Sequence, residues 1–197
     1  MHALTLRTFR VAVALAAAPL AGVTLASSTL AAQAAPASSR PTFGISGGIA
    51  LPLGDFGDGF NSGYDIAAHV GFRPSGQAFG VRAEGAFNRF GAKGGGSADV
   101  HANIFGVTGN LIIGTPATPG SVRPYFIGGA GIYNVKAEAK VANSTVSSSD
   151  TKFGLNVGAG LDLPLSGIAA FAEARYHIVF TDGGNTAFVP IVVGVRF

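Results

Sequence analysis

Two glutamates and three arginines are the residues of this chain best suited to chemistry. Glu84 and Glu173 each follow a Gly- or Pro-bearing break by about six residues of extended chain. Paired carboxylates can serve as a general acid and a general base. Arg82, Arg175 and Arg196 offer the opposite use, an internal ion-pair cluster, since a buried charge without a partner is costly. The histidines His69, His101 and His177 lack the H-x-x-x-H or HExxH spacing that a metal needs, and cysteine is absent. Gly94-Gly-Gly96 has neither the lysine nor the helix of a phosphate cradle. No G-x-S-x-G elbow occurs. The expectation is therefore no catalytic site, no metal and no cofactor.

These residues are positioned by an unusual background. Charged residues make up 12% of the chain, against roughly a quarter in ordinary soluble domains. A soluble globule of 197 residues would cover itself with Lys and Glu, and this one does not. The formal charge of +3 falls to +1 once Arg7 and Arg10 are set aside with the leader described next. No basic run and no aromatic–basic interleaving is present, so no nucleic acid is expected as a partner.

Arg7 and Arg10 precede an apolar run, Val11 to Leu25, followed by the small-residue tripeptide Ala32-Gln33-Ala34. That order is a secretory signal peptide, read as residues 1–34 with cleavage after Ala34. A retained anchor is the alternative, but Pro19, Gly22 and the excess of Ala over Leu disfavour a spanning helix. Residues 35–41 read as a short linker, and 42–197 as one domain.

Beyond Arg40 the chain repeats segments of alternating hydrophobicity bounded by Gly, Pro, Asn, Asp or Ser. They run Thr42–Pro52, Gly63–Arg73, Phe79–Phe90, Val100–Gly114, Arg123–Lys136, Thr151–Pro164, Ile168–Phe180 and Thr186–Phe197. In the seventh, Ala170, Ala172, Ala174, Tyr176, Ile178 and Phe180 oppose Glu173, Arg175 and His177. In the second, Tyr64, Ile66, Ala68, Val70 and Phe72 oppose Asp65, His69 and Arg73. The sixth sets Asn156 and Asp162 on its polar face. Since side chains alternate across a strand, each segment has one apolar face and one polar face. The fourth and fifth are irregular, and their facing stays open.

Short joins alternate with longer polar ones at Leu53–Ser62, Gly91–Asp99, Ala137–Asp150 and Thr181–Asn185. Short periplasmic turns and longer outer loops belong to a transmembrane barrel, with both termini on the turn side. A soluble barrel would also alternate, with the apolar face inside. Two features favour lipid outside. The polar faces are mainly small residues, and Lys93, Lys136, Lys140 and Lys152 all fall in loops or at segment ends. Aromatics gather near both ends: Phe60, Tyr64, Phe87, Phe90, Tyr133, Phe153, Tyr176, Phe180 and Phe188 at the loops, Phe72, Phe79, Tyr125, Phe126, Phe171 and Phe197 at the turns. Such belts are expected at the two bilayer interfaces. The fold expected is an all-β, closed, antiparallel up-and-down transmembrane barrel of about eight strands.

The C-terminal stretch Pro190-Ile-Val-Val-Gly-Val-Arg-Phe197 resembles the terminal signal of outer-membrane barrels, in which alternate residues are apolar and the last is aromatic. Together with Phe171–His177, Arg123–Tyr133 and Asn110–Ile113, it makes residues 40 to 197 resemble the small opacity-type and OmpA/OmpX-like β-barrel domains. The resemblance implies that Val193, Val195 and Phe197 are read by the barrel-assembly machinery. It also implies outer-membrane lipid around the wall and an unidentified extracellular ligand. The chain stops at Phe197, so the cell-wall-binding domain of the full-length OmpA type is not expected. Lipid A deacylation, one activity of such barrels, resembles a His-x-Ser arrangement. Position 179 is Val, so His177 does not fit it.

In a narrow lumen with little room for substrate, Arg82, Glu84, Glu173, Arg175 and Arg196 read as a structural salt-bridge network. Asp65, His69, Arg73, Asn156 and His177 are further candidates for lumen polar positions. The function expected is a structural or surface-interaction role through the outer loops. A narrow pore or carrier of small hydrophobic molecules is the alternative, and a lipid-modifying enzyme ranks below both.

Overall fold

The computed structural model describes residues 41–74, 77–94, 99–115, 121–141, 144–165, 168–182 and 184–197. The expected signal peptide and most of the linker lie outside the described residues. Eight strands follow one another: β1 (Thr42–Leu53), β2 (Gly63–Phe72), β3 (Phe79–Gly91), β4 (Asp99–Gly114), β5 (Arg123–Val141), β6 (Ser144–Pro164), β7 (Ala169–Thr181) and β8 (Gly184–Arg196). Each pairs antiparallel with the next, and β8 returns to β1 to close the ring. At the seam Phe43 and Phe197 exchange both backbone hydrogen bonds, each 2.8 Å. Closure leaves no unpaired edge, the condition for a sheet to cross lipid.

The two faces are sorted as a membrane requires. Outward apolar side chains are widely exposed, Phe126 by 72%, Val193 by 68% and Val157 by 61%. The charged Asp65, Arg82, Glu84, Glu173 and Arg175 are all buried inside. A soluble barrel would show the reverse. The irregular strands also resolve. β4 turns Ala102, Ile104, Thr108, Asn110 and Ile112 inward, while β5 turns Tyr125, Ile127 and Tyr133 inward. Their inner faces mix isoleucine with polar groups, so polarity alone does not reveal the facing.

The aromatic belts need correction. Phe90, Tyr133 and Phe188 are buried in the upper lumen, and Tyr125 and Phe171 in the lower. The outer surface keeps Tyr64, Phe153, Tyr176 and Phe180 towards the loops, and Phe43, Phe72, Phe79, Phe126 and Phe197 towards the turns. Glycines on adjacent strands make the internal room. Gly160 pairs with Tyr125 and Gly194 with Phe171, and a β-carbon at either glycine would collide with the ring.

Two of the expected open loops are built differently. Leu53–Ser62 contains a short helix, α1 (Gly54–Gly59). Ala137–Asp150 is largely strand: β5 and β6 pair as far as Val141 and Ser144. At 19 and 21 residues, these strands far exceed the ten or so tilted residues that cross the hydrocarbon. The excess projects as a hairpin on the loop side.

Candidate functional site

The lumen is the place where the chemically capable side chains meet. β3 and β7 are separated by three strands on either side of the ring, so their inward residues face each other across its width. Arg82 on β3 donates from Nη2 to Glu173 Oε1 on β7 at 2.6 Å, and stands 3.3 Å from its own strand's Glu84 Oε2. Arg175 on β7 reaches back to Glu84, its Nη2 against Oε1, and its Nε lies 2.8 Å from Glu173 Oε1. Two cations and two anions thus alternate across the barrel. Tyr125 donates its hydroxyl to Glu173 Oε2 at 2.6 Å, filling the remaining acceptor.

Below this level Arg196 Nη1 meets Asp162 Oδ1 at 2.7 Å, and its guanidinium lies 4.8 Å from the Phe171 ring centroid. Arg196 Nε also approaches His69 Nε2 at 3.4 Å, while His69 Nδ1 is 3.9 Å from Glu84 Oε2. Arg196 therefore belongs to a lower layer, with His69 lying between it and the four charges. Arg73 follows the end of β2 at the mouth on the turn side, half-buried.

Above the four charges, Asp65 and Asn88 are register partners, both buried. His177 Nδ1 and the Tyr133 hydroxyl are 3.0 Å apart, and Asn156 is the register partner of His177. The His177 ring stacks on Phe188 at 4.9 Å between centroids. Phe188 meets Phe90 at 5.7 Å, Phe90 meets Phe56 of α1 at 5.0 Å, and Phe56 meets Phe60 at 4.8 Å. With Ala50, Ala102, Ile104 and Val179 these rings make an apolar cluster at the outer mouth. Lys93 fastens α1 there, its Nζ donating to Gly57 O at 2.6 Å and its backbone N–H to Gly59 O at 2.9 Å.

Sequence reasoning leaves Asp162, Tyr125 and Tyr133 out of the network. Asp162 shares strand parity with Asn156, which is signal enough to find it. The tyrosines look like belt residues in the sequence, and only the register opposite glycines reveals them. Among the described residues no three His, Asp or Glu side chains are grouped so as to hold a metal.

The inverted sorting of faces and the closed antiparallel ring agree with comparisons to known proteins. A family model, the outer membrane protein beta-barrel domain, matches residues 22–197. The chain belongs to that family. This outer-membrane barrel is similar in fold to Neisserial surface protein A, at 19% identity and a TM-score of 0.59, over 79% of this chain and 95% of that one. It is also similar to the attachment invasion locus protein Ail of Yersinia pestis, at 20% identity and a TM-score of 0.54, over 80% and 99%. A major outer membrane protein of Thermus thermophilus aligns at 12% identity and a TM-score of 0.52, over 80% and 99%. No curated protein sequence matches. The outer-membrane barrel is thus an integral protein of the outer membrane, its wall in contact with lipid.

Proposed function

We propose that this protein is a closed outer-membrane scaffold that acts at the cell surface through its loop-side elements, above all the β5–β6 hairpin. The observation that carries the reading is the pair of cross-lumen contacts between β3 and β7, Arg82 with Glu173 and Arg175 with Glu84. Side chains that reach from wall to wall support a closed interior, and the aromatic cluster under α1 supports it a second time. A closed barrel of this kind acts through its rims.

The charge pattern of the outer rim narrows the partner. Lys136 pairs with Glu138, and Lys152 with Asp150 and Asp182. Asp55, Asp58 and Asp99 on one side and Arg89, Lys93 and Lys140 on the other leave the loop-side charge close to balance. The Ail barrel was crystallised with the heparin analogue sucrose octasulfate, but a rim so neutralised favours a protein surface over a polyanion. Residues 1–34 serve export, and Val193, Val195 and Phe197 serve recognition by the assembly machinery. The enzyme reading has no support in the lumen, where Glu84 and Glu173 are both taken up by arginine.

Planar-bilayer recording tests the closed lumen. Purified protein is expected to give no stable conductance steps, and reproducible steps would overturn the reading in favour of a narrow pore. Replacing residues 137–150 by a tight turn is expected to leave heat-modifiable mobility intact and remove adhesion of expressing cells to host-type protein surfaces. Unchanged adhesion would remove the hairpin from the proposal.

A further inference from the structure

The β5–β6 hairpin is part of a three-stranded sheet that rises past the rim on the loop side. β4 pairs with β5 as far as Asp99 with Lys140, and β5 with β6 as far as Val141 with Ser144. The two faces of this sheet differ. Ala102, Ile104 and Tyr133 are buried in the lumen, and period two carries the same facing up to Val135, Ala137 and Ala139 on β5 and Val100 on β4. These residues are cross-strand neighbours: Ile104 opposes Val135, Ala102 opposes Ala137, and Val100 opposes Ala139. The other face is polar, with Lys136 Nζ 2.6 Å from Glu138 Oε1 and Asn103 Nδ2 donating to Glu138 Oε2 at 2.8 Å. At its foot the apolar face merges with the cluster at the mouth, where Val135 packs. Higher up, Ala137 is exposed and Val100 and Ala139 are half-buried.

The sheet also has an open edge. The far side of β4 is covered, by β3 up to Gly91 with His101 and then by the bond from Ala92 N–H to Val100 O at 2.9 Å. The far side of β6 is not. β7 pairs with it only as far as Val179 with Gly154. Side chains from the end of β7 reach a little further: Phe180 stacks on Phe153 at 6.1 Å between centroids, and Asp182 meets Lys152 at 2.7 Å. Residues 144–150 then have β5 on one side and, among the described residues, no strand on the other. Alternate backbone N–H and C=O groups there point away from β5. Folded proteins blunt such an edge with Pro, Lys or a bulge. Ser144-Thr-Val-Ser-Ser-Ser-Asp150 has no Pro or Lys, and its register with β5 is unbroken.

We propose that the β6 edge at 144–150 takes up an extended segment of a second protein as an added strand. Alternate apolar side chains of that segment continue the face of Val135, Ala137 and Ala139. Ser148, the register partner of Ala137, is small enough for a long side chain to lean across it. Only another strand offers donors and acceptors at the spacing of this edge. A second copy in the same membrane does not fit. Barrel strands tilt by about 35–45°, so a two-fold axis along the membrane normal would cross the two edges at about 70–90° instead of aligning them. This docking rests on the loop-side role proposed above and specifies the chemistry of its partner.

Amide hydrogen exchange, read by NMR on the folded protein in lipid nanodiscs, decides the matter, with heat-modifiable mobility as the folding control. The probe is a synthetic peptide of about eight residues, within the usual range of strand lengths, alternating Leu and Thr. One control peptide carries the same residues in two blocks, and another is the alternating peptide N-methylated throughout. The alternating peptide is expected to slow alternate amides within 144–150 by about tenfold, and both controls to leave them unchanged. Ala137→Glu, with Ala139→Glu as a second variant, is expected to fold and to bind the alternating peptide about tenfold more weakly. Unchanged exchange at 144–150 overturns the proposal, as does equal protection by the N-methylated peptide. Equal protection by the block peptide, or undiminished binding by both folded variants, removes the apolar face and overturns it too. Protection of the same amides by raised protein concentration alone makes the occupant a second copy and overturns it. The hairpin's role fails separately, if adhesion survives replacement of residues 137–150. Adhesion lost on that replacement, with the amides silent, overturns the added strand alone.

Discussion

At the residue scale, the barrel depends on charges that are safe only in company. Arg82, Glu84, Glu173 and Arg175 are each no more than 5% exposed. Removing one member leaves a buried opposite charge poorly compensated, which typically costs about 3–5 kcal/mol. Glu173→Gln is therefore expected to destabilise the folded barrel by about that amount in urea titrations in lipid vesicles. Arg82→Met combined with Glu173→Met leaves the Arg175–Glu84 pair intact and is expected to cost clearly less than the two single changes summed. Strict additivity would show that the two residues do not act as a pair. Parity in the sequence places these charges on the inner face, but does not name their partners. Tyr125 reaches Glu173 from β5 only because Gly160 on β6 leaves space for its ring. A strand read by itself carries no record of the residue opposite.

At the scale of elements, the outer rim departs furthest from the expectation of open loops. α1 has six residues, its sequence Gly-Asp-Phe-Gly-Asp-Gly is rich in glycine, and Leu53 gives it no side-chain cap. It would not persist alone. Phe56 and Phe60 packing on the lumen cluster, together with Lys93, hold it. The β5–β6 hairpin is illegible for another reason. Residues 147–150 are all exposed, so both faces meet water there and the stretch shows no alternation, although β6 pairs residue by residue with β5 from Ser144 onward. Its charges make it pH-sensitive. Hydrogen bonding by Lys136 lowers the Glu138 pKa, and hydrogen bonding by Lys152 lowers that of Asp150. Asp150, then Asp182, raise that of Lys152. A lowered carboxyl pKa stabilises above the unfolded value and is lost as pH falls through the folded one. A raised ammonium pKa stabilises below its unfolded value and is lost as pH rises through the folded one. The pairs therefore hold between about pH 5 and pH 10. NMR relaxation is expected to show residues 136–152 loosening below about pH 4 and in about 1 M salt, with the membrane-spanning strands unchanged. Rigid behaviour under both conditions would mean that backbone pairing alone holds the hairpin.

For the whole molecule, closure is the controlling event. β8 and β1 are far apart in the chain, and their pairing ends at the reciprocal hydrogen bonds of Phe43 and Phe197. Phe197 is also 62% exposed on the lipid side, where an aromatic suits the interface. Deleting Phe197 removes two ladder bonds and that anchor at once. Outer-membrane accumulation, measured by heat-modifiable mobility after fractionation, is expected to fall more than for deletion of any single outer loop. Equal accumulation would sink the terminal residue's role in assembly.

The sequence by itself determined the strands, their number, the face that most of them present and, through scarce mid-strand charge, the preference for lipid outside. These are local or compositional properties, written in period-two alternation. Tertiary structure alone decided which aromatics are belts and which are filling. It also decided that β3 and β7 oppose each other. Such relations depend on inter-strand register and on ring closure, which join residues up to the full length of the barrel apart. The paired Glu84 and Glu173 were legible as buried carboxylates. That they meet Arg175 and Arg82 across the lumen was decided only when β8 met β1.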